Sequence, residues 1–591
     1  MAHTREEHGL VELTEPLPLN SLTNADIAPT PIAARTWNWW HIASLWVGLA
    51  VCIPTYMLAA GLITAGMSWG QAVGTILLGN AIVLVPMMLN AHAGTRYGVP
   101  FPVLIRASFG LSGAHIPSLS RAVVACGWFG IQTWVGGKAI YELVKLVYPD
   151  IAGWGEGLRA TFGINGGELA CFLAFWAVHM WFVYAGTESI KWLETASAPI
   201  LILVGVCLLV WAVQEGGGLG TVLDKSHLFT KPSLVASAQN GGVVAELSVL
   251  ANPDGSPRAR EMRYAGSAAD LAEQPWTPVE SRFSAALPVD ATQIVVEIRD
   301  GAGHSAVLTA PVRAAGQTGG SWLLTVFFPL LTAMVGYWAT LSLNIPDLMR
   351  YARSQKDQAV GQILGLPTTM TFYAFVGIVA TCASIIVFPE VLVPSQAPWD
   401  PVALLSHFQQ PVLLAVSLLS LVIATITTNI AANVVAPANG ISNLAPDKIS
   451  YKVGGYITGV IGILMMPWKL LENVGAYIFT WLIGYSALMG GIAGVMICDY
   501  WFLRGARLEV RDLYRPDGVY PRWRWQGIVA FVLGVLPNVP GFLHAASTPG
   551  GRVADPGFFD SVYAYAWFVS FGLSFIIYAV LTTGERRRRT A

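Results

Sequence analysis

The chain has 591 residues, 54% hydrophobic and 12% charged, with a formal net charge of −1 and a mean hydropathy of +0.55. Long apolar runs of this kind exceed what a soluble core buries, so composition specifies a polytopic membrane protein, and nothing in the charge suggests nucleic-acid binding. Six cysteines, Cys52, Cys126, Cys171, Cys207, Cys382 and Cys498, lie within or at the ends of apolar runs without metal-ligand spacing, which reads as packing and excludes a disulfide framework.

Residues 1–38 are polar and acidic, without the basic-then-apolar-then-small order of a cleaved signal peptide. They are expected to be a cytoplasmic tail, with the first membrane helix directing insertion. At about 20 mostly apolar residues per span, twelve helices are expected. Five fall within 39–215, centred on 42–64, 72–90, 122–147, 169–185 and 198–213. Five more fall within 321–500, centred on 322–345, 369–388, 412–436, 454–466 and 474–497. A cytoplasmic connection and two last helices, 528–542 and 562–582, occupy 501–585, and 586–591 form a basic cytoplasmic end.

Charge then orients the chain. Arg96, Arg106, Lys191, Arg350, Arg353, Lys356, Lys448, Lys452 and six arginines between Arg504 and Arg524 fall on one side, against Arg159, Lys469 and Arg552 on the other. The positive-inside rule puts both termini in the cytoplasm, with Arg586 to Arg589 as a topology anchor beside the lipid bilayer.

On this topology 216–320 is an extracytoplasmic insertion. Its alternating runs "VVAELSVLA", "QIVVEIRD" and "HSAVLTAPVRA", separated by "NPDG" and "DGAG", read as a small antiparallel β-rich unit similar to an immunoglobulin-like sandwich fragment. A tolerated surface insertion and a binding or assembly module both fit it, and no partner for it can be read from the residues.

The first helix carries Gly48 and Pro54 in "VGLAVCIPTYML", and the sixth carries Gly336 and Pro346 in "VGYWATLSLNIPDLM". Each is expected to break near mid-membrane, where freed backbone groups line a site. Matching interruptions in helices one and six point to two inverted five-helix halves with the site between them. The eighth helix places Thr427, Thr428, Asn429 and Asn433 in the stretch "TTNIAAN", polar groups that at such depth face a ligand or the bundle interior.

The stretches "DIAPTPIAARTWNWWHIASLWVG", "TRYGVPFPVLIRASFG", "ACGWFGIQTWVGG", "GYWATLSLNIPDLMRYARSQ", "TTNIAANVVAPAN" and "GVMICDYWFLRGARLEVRDLYRPDGVY" closely resemble the nucleobase–cation symporter family 1, which includes uracil, cytosine, allantoin and hydantoin permeases. The resemblance covers almost the whole chain except 216–320. It implies an all-α polytopic fold similar to the sodium-coupled amino-acid transporters, with a five-plus-five inverted repeat and two peripheral helices. It also implies a symporter and not an enzyme.

Trp128 and Gln132 are four residues apart and share one helix face; an indole can stack on a planar ring, and an amide matches a cyclic amide's N–H and C=O edge. The resemblance implies that they contribute to the substrate site with Trp338 as a second indole, Asn433 as a second bidentate contact, and Asn429 as a structural or secondary partner. No charged residue is in this set, so a neutral ring is expected. The hydantoin branch resembles a pattern with an amide on the broken first helix, where this chain has Val51, Cys52 and Ile53. Uracil or allantoin is therefore favoured over hydantoin.

The resemblance further places Na+, as coupling ion, among the hydroxyls of Thr427 and Thr428 and the carbonyls of Ala424, Gly48 and Val51. Glu188, Asp347 and Asp499 lie toward one end of their spans and Glu142 toward the other, so no carboxylate relay is evident and sodium is favoured over proton coupling. His179 is the remaining candidate proton site, with a packed, hydrogen-bonded histidine as the alternative. Lys138 is expected to pair with Glu142 or to snorkel. A proton-coupled permease for the same rings, and a transporter-like sensor signalling through the insertion, remain as alternatives.

Overall fold

The computed structural model describes residues 4–18, 20–185, 202–239, 242–287, 291–313, 321–408, 410–553 and 556–585, apart from the side chains of Leu413, Thr427, Ala431 and Val435. Lys191, Glu188, the start of the fifth expected helix and the basic end 586–591 lie outside the described residues.

The first span is two helices, α1 (Trp39–Ala50) and α2 (Ile53–Thr64), whose axes differ by 60°. Asn38 starts α1 by accepting from the Trp40 and His41 amides. Cys52 stops it in an extended conformation (φ −142°, ψ 160°), and Pro54, which lacks an N–H, sits at the start of α2, where no intrahelical donor is needed. Then follow α3 (Trp69–Tyr97), α4 (His115–Val147), α5 (Gly166–Ala185) and α6 (Ile202–Glu215), which turns by 88° into Leu219–Thr230. After the insertion come α7 (Phe328–Asn344), α8 (Gln355–Val387), α9 (Pro411–Asn433) and α10 (Val435–Ser442). The chain continues through α11 (Tyr451–Leu464), α12 (Ile483–Ile497), α13 (Trp525–Val535), α14 (Val539–Ser547) and α15 (Ala566–Leu581).

Among the described residues six helices are long and apolar enough to cross a membrane, or up to eight if each bent pair is one span, fewer than the twelve expected. The 33-residue α4 is long enough, but it carries Arg121, Lys138, Glu142 and Lys145, and α11 and α15 are shorter apolar helices.

The sixth expected span corrects the reading of paired breaks. α7 runs unbroken through Gly336, and Ile345 keeps helical angles (φ −52°, ψ −29°) before the short helix Pro346–Met349. Gly336 is there for contact: a Cβ would lie 2.9 Å from the Leu482 carbonyl oxygen and from Ser486 Cβ. Gly94 of α3 is as tight, its Cβ direction meeting Pro346 Cα at 2.6 Å. Gly94→Val is therefore expected to force α3 from the end of α7 and to remove most of the monodisperse protein on size exclusion, whereas Gly74→Ala, with nothing within 4 Å, leaves it unchanged.

The tail also folds. Two strands, β1 (Thr4–Glu7) and β2 (Leu10–Leu13), pair as a hairpin, and the buried Arg35 donates to the carbonyls of Val11, Thr30 and Thr95. Arg106 donates to the Leu22 and Leu513 carbonyls, and Tyr514 to that of Ile27, so this segment is tied to three separate parts of the chain.

Within the insertion, β3 (Leu234–Gln239), β4 (Gly242–Leu247), β5 (Glu261–Ala265), β6 (Thr277–Pro278), β7 (Arg282–Ala285), β8 (Gln293–Arg299) and β9 (Ser305–Arg313) form one curled sheet of order β6-β5-β8-β9-β3-β4-β7. All pairs are antiparallel except β3 with β9, where Ala236 stands opposite Val312. Alternate residues such as Ile294, Val296 and Ile298 enter a core that also takes Leu392 and Val393 from the loop after α8. Arg258 fastens the two together, its guanidinium donating to the carbonyls of Ile385, Phe388 and Val391 at 2.8 Å.

Candidate functional site

The break in α1 brings Leu49 and Cys52 to a pocket shared with Trp128 and Gln132 of α4, Tyr337, Trp338, Thr340 and Leu341 of α7, and Thr428, Ala432 and Asn433 of α9. Helical periodicity explains the set: 128 and 132, 337, 340 and 341, and 428 and 432 lie three or four apart and repeat on one face. The pocket joins the first and second halves of the helical chain.

Its walls are aromatic. Trp128 meets Tyr337 edge-on at 5.3 Å and Tyr477, Trp481 and Tyr485 at 6.2–6.5 Å, while Trp338 meets Tyr337 at 4.9 Å and Trp46 at 5.2 Å. Each indole is thus held by its neighbours' edges, which fixes its plane. Tyr337 is a site residue that the sequence reading missed. Its hydroxyl reaches Thr55 Oγ1 at 3.2 Å and Cys52 Sγ at 3.4 Å, tying α7 to the break between α1 and α2. Its residue type and spacing did not separate it from ordinary helix packing.

Among the described residues, three buried polar atoms of this lining have no hydrogen-bond partner: Gln132 Oε1, Trp338 Nε1 and Thr428 Oγ1. Left unpaired, such atoms cost about 1–3 kcal/mol each. None of the described lining residues is charged.

Of the expected substrate residues, Trp128, Gln132, Trp338 and Asn433 meet at this pocket. Asn429 does not line it: fully buried behind Asn433, it donates to Phe129 O and Thr133 Oγ1, both at 3.1 Å, and accepts from Asn433 at 3.0 Å. Cys52 is a lining residue, whereas Val51 and Ile53 are buried in packing beside it.

Of the expected cation residues, Gly48 lies in the last turn of α1 and Val51 at its end, off helical angles (φ −80°, ψ 72°). Ala424 is buried on α9 one turn before Thr428. Thr428, expected to face a cation, lines the pocket together with Trp128, Gln132, Trp338 and Asn433. The side chain of Thr427 is outside the described residues. Thr425 shows the ordinary fate of a membrane threonine, donating to Leu421 O at 2.7 Å; Thr428 does not.

Two further expectations resolve. His179 is fully buried on α5, its Nδ1 2.9 Å from Phe175 O and its Nε2 3.2 Å from Asn429 Nδ2, the packed alternative. Lys138 does not pair with Glu142: it reaches Asp400 at 2.9 Å, and Glu142 takes Lys145 at 2.7 Å. The neighbouring Trp399 lies over Tyr477, so the loop after α8 meets both α4 and the aromatic wall.

Comparison with known proteins agrees with this architecture. The family profile of permeases for cytosine/purines, uracil, thiamine and allantoin matches residues 29–254 and 287–570. The purine-uracil permease NCS1 of Arabidopsis thaliana is 36% identical over 581 residues, covering 97% of this chain and 79% of the relative. The allantoin permease of Bacillus subtilis is 34% identical over 568 residues, covering 95% and 93%. In fold, the chain is similar to the inward-facing conformation of Mhp1, with a TM-score of 0.61 at 20% identity over 96% of both chains. The chain therefore belongs to the family of permeases for cytosine/purines, uracil, thiamine and allantoin, and is a multi-pass membrane transporter and not an enzyme.

Proposed function

We propose that the chain is a secondary active symporter that imports a neutral planar nitrogen heterocycle, uracil, allantoin or a related nucleobase or ureide, together with Na+. The observation that carries this reading is the uncharged aromatic pocket with unpaired Gln132, Trp338 and Thr428 atoms. A flat ring sits between the indoles of Trp128 and Trp338, and its amide edges pair with Gln132 and Asn433. Such a site rejects rings lacking those edges because its own polar groups are then left unpaired. The relatives' names, purine-uracil and allantoin permease, support the substrate class. Cys52 in place of an amide on the broken helix favours uracil or allantoin over hydantoin.

Na+ is held by neutral oxygens: the hydroxyls of Thr427 and Thr428 and the carbonyls of Ala424, Gly48 and Val51. The unbonded Thr428 hydroxyl and the end of α1 at Val51 fit such a cage. By ordering the break, the ion raises affinity for the ring, and the ring raises affinity for the ion by the same factor. Alternating access then carries both across a bundle of twelve spans, with the termini cytoplasmic and the sheet extracytoplasmic. One charge moving through 100 mV supplies about 2.3 kcal/mol, enough for roughly 50-fold accumulation.

The test is uptake of labelled uracil and allantoin into proteoliposomes under an imposed sodium gradient or an imposed pH gradient. Sodium-driven accumulation of one of them is the expected result. Accumulation driven only by the pH gradient overturns the sodium assignment, and binding without flux turns the chain into a sensor.

A further inference from the structure

Behind the pocket wall a chain of buried groups runs from α5 to Asn433, and its direction can be read from atoms that have no choice of role. The Phe129 carbonyl only accepts, so the Asn429 atom 3.1 Å from it is the amide nitrogen. The Thr133 hydroxyl donates to that same carbonyl at 2.7 Å and so meets Asn429 as an acceptor. His179 agrees independently: the Phe175 carbonyl only accepts, so Nδ1 carries the hydrogen and Nε2 of the neutral ring offers a lone pair to Asn429. With its two N–H hydrogens shared among these three acceptors, Asn429 turns its oxygen to Asn433 and receives the Asn433 amide at 3.0 Å. Asn433, on the pocket wall, is left with its oxygen and one remaining N–H to offer. Gln132, by contrast, has an unpartnered Oε1 and can turn either way.

We propose that His179, Thr133 and Asn429 are positioning residues that fix which way round Asn433 faces, and so hold its amide ready for the edge of a ring. The inference rests on the reading of the pocket as a heterocycle site. An outward oxygen beside an N–H takes a ring N–H next to a carbonyl, the pair that uracil presents at N3 and C4. The relay fixes the register in which that edge seats, and reversing Asn433 would break the bond behind it.

Two measurements test this. The first needs no ligand: 15N-histidine spectra of the protein in nanodiscs, with the His179 signals identified by their loss in His179→Gln. The neutral Nδ1–H tautomer at pH 7 is expected; the Nε2–H tautomer or the cation overturns the relay. The second measures uracil affinity by equilibrium binding. His179→Phe and Thr133→Val are each expected to weaken it by about tenfold. His179→Gln, whose amide can donate to Phe175 O and accept from Asn429, keeps it within about threefold of native. Affinity within about threefold of native in both His179→Phe and Thr133→Val overturns the inference. Should the native chain bind neither uracil nor allantoin, the heterocycle reading of the pocket fails, and the tautomer alone decides the relay.

Discussion

Asn433→Ala is expected to weaken binding of the ring by roughly 150-fold, the consequence of about 3 kcal/mol lost when two ring groups and the Asn429 oxygen are left unpaired in a buried site. The size of the effect comes from what remains behind. A donor and an acceptor on the ring would face an alanine methyl, and the Asn429 oxygen, now without its partner, sits where water does not easily replace it. Trp128→Ala should fall in the same range for a different reason, since it removes one face of the slot together with the anchor against which Tyr337, Tyr477, Trp481 and Tyr485 are set. Calorimetric titration with uracil and allantoin checks both. Affinities within threefold of native in both variants would move the substrate elsewhere in the bundle.

Thr428→Val is expected to remove most of the sodium activation of uptake, a loss of about tenfold or more at limiting sodium, with the bilayer potential and ring concentration held fixed. Valine keeps the shape and deletes one oxygen, a buried one with no hydrogen-bond partner among the described residues. Thr425→Val is the control, because its hydroxyl donates to Leu421 O and Thr425 is not among the residues that line the pocket. Unchanged sodium dependence in Thr428→Val would sink the ion assignment while leaving the ring site intact.

The residues that were legible in the sequence are those whose roles follow from helical spacing. Trp128 and Gln132 share a face by arithmetic, and Asn433 lies on the face of α9 that reaches the same pocket. Tyr337 was not legible, because an aromatic residue beside a tryptophan in an apolar helix reads as packing. The two glycine–proline motifs look alike, yet only one breaks its helix: Cys52 is extended ahead of Pro54, while Ile345 stays helical ahead of Pro346. The difference is tertiary, since the Tyr337 hydroxyl is there to partner Cys52 and Thr55, whereas Gly336 is pressed against the Leu482 carbonyl. Lys138 failed for a similar reason. Its partner Asp400 is 262 residues away in sequence, and a local rule could only offer Glu142.

The sheet in the insertion has a consequence for how this chain could have grown. Its order places β8, β9, β3 and β4 in the middle, and the family profile skips residues 255–286, which contain β5, β6 and β7. The skipped segment therefore contributes only to the two margins of the sheet, flanking a four-stranded centre on each side. Addition at a margin leaves the existing register untouched, so a lineage can acquire such strands without renegotiating the centre. The new margins are also brief, two residues in β6 and four in β7, too short to recruit a strand from a second molecule. Arg258, inside the skipped segment, seats the sheet on the end of α8.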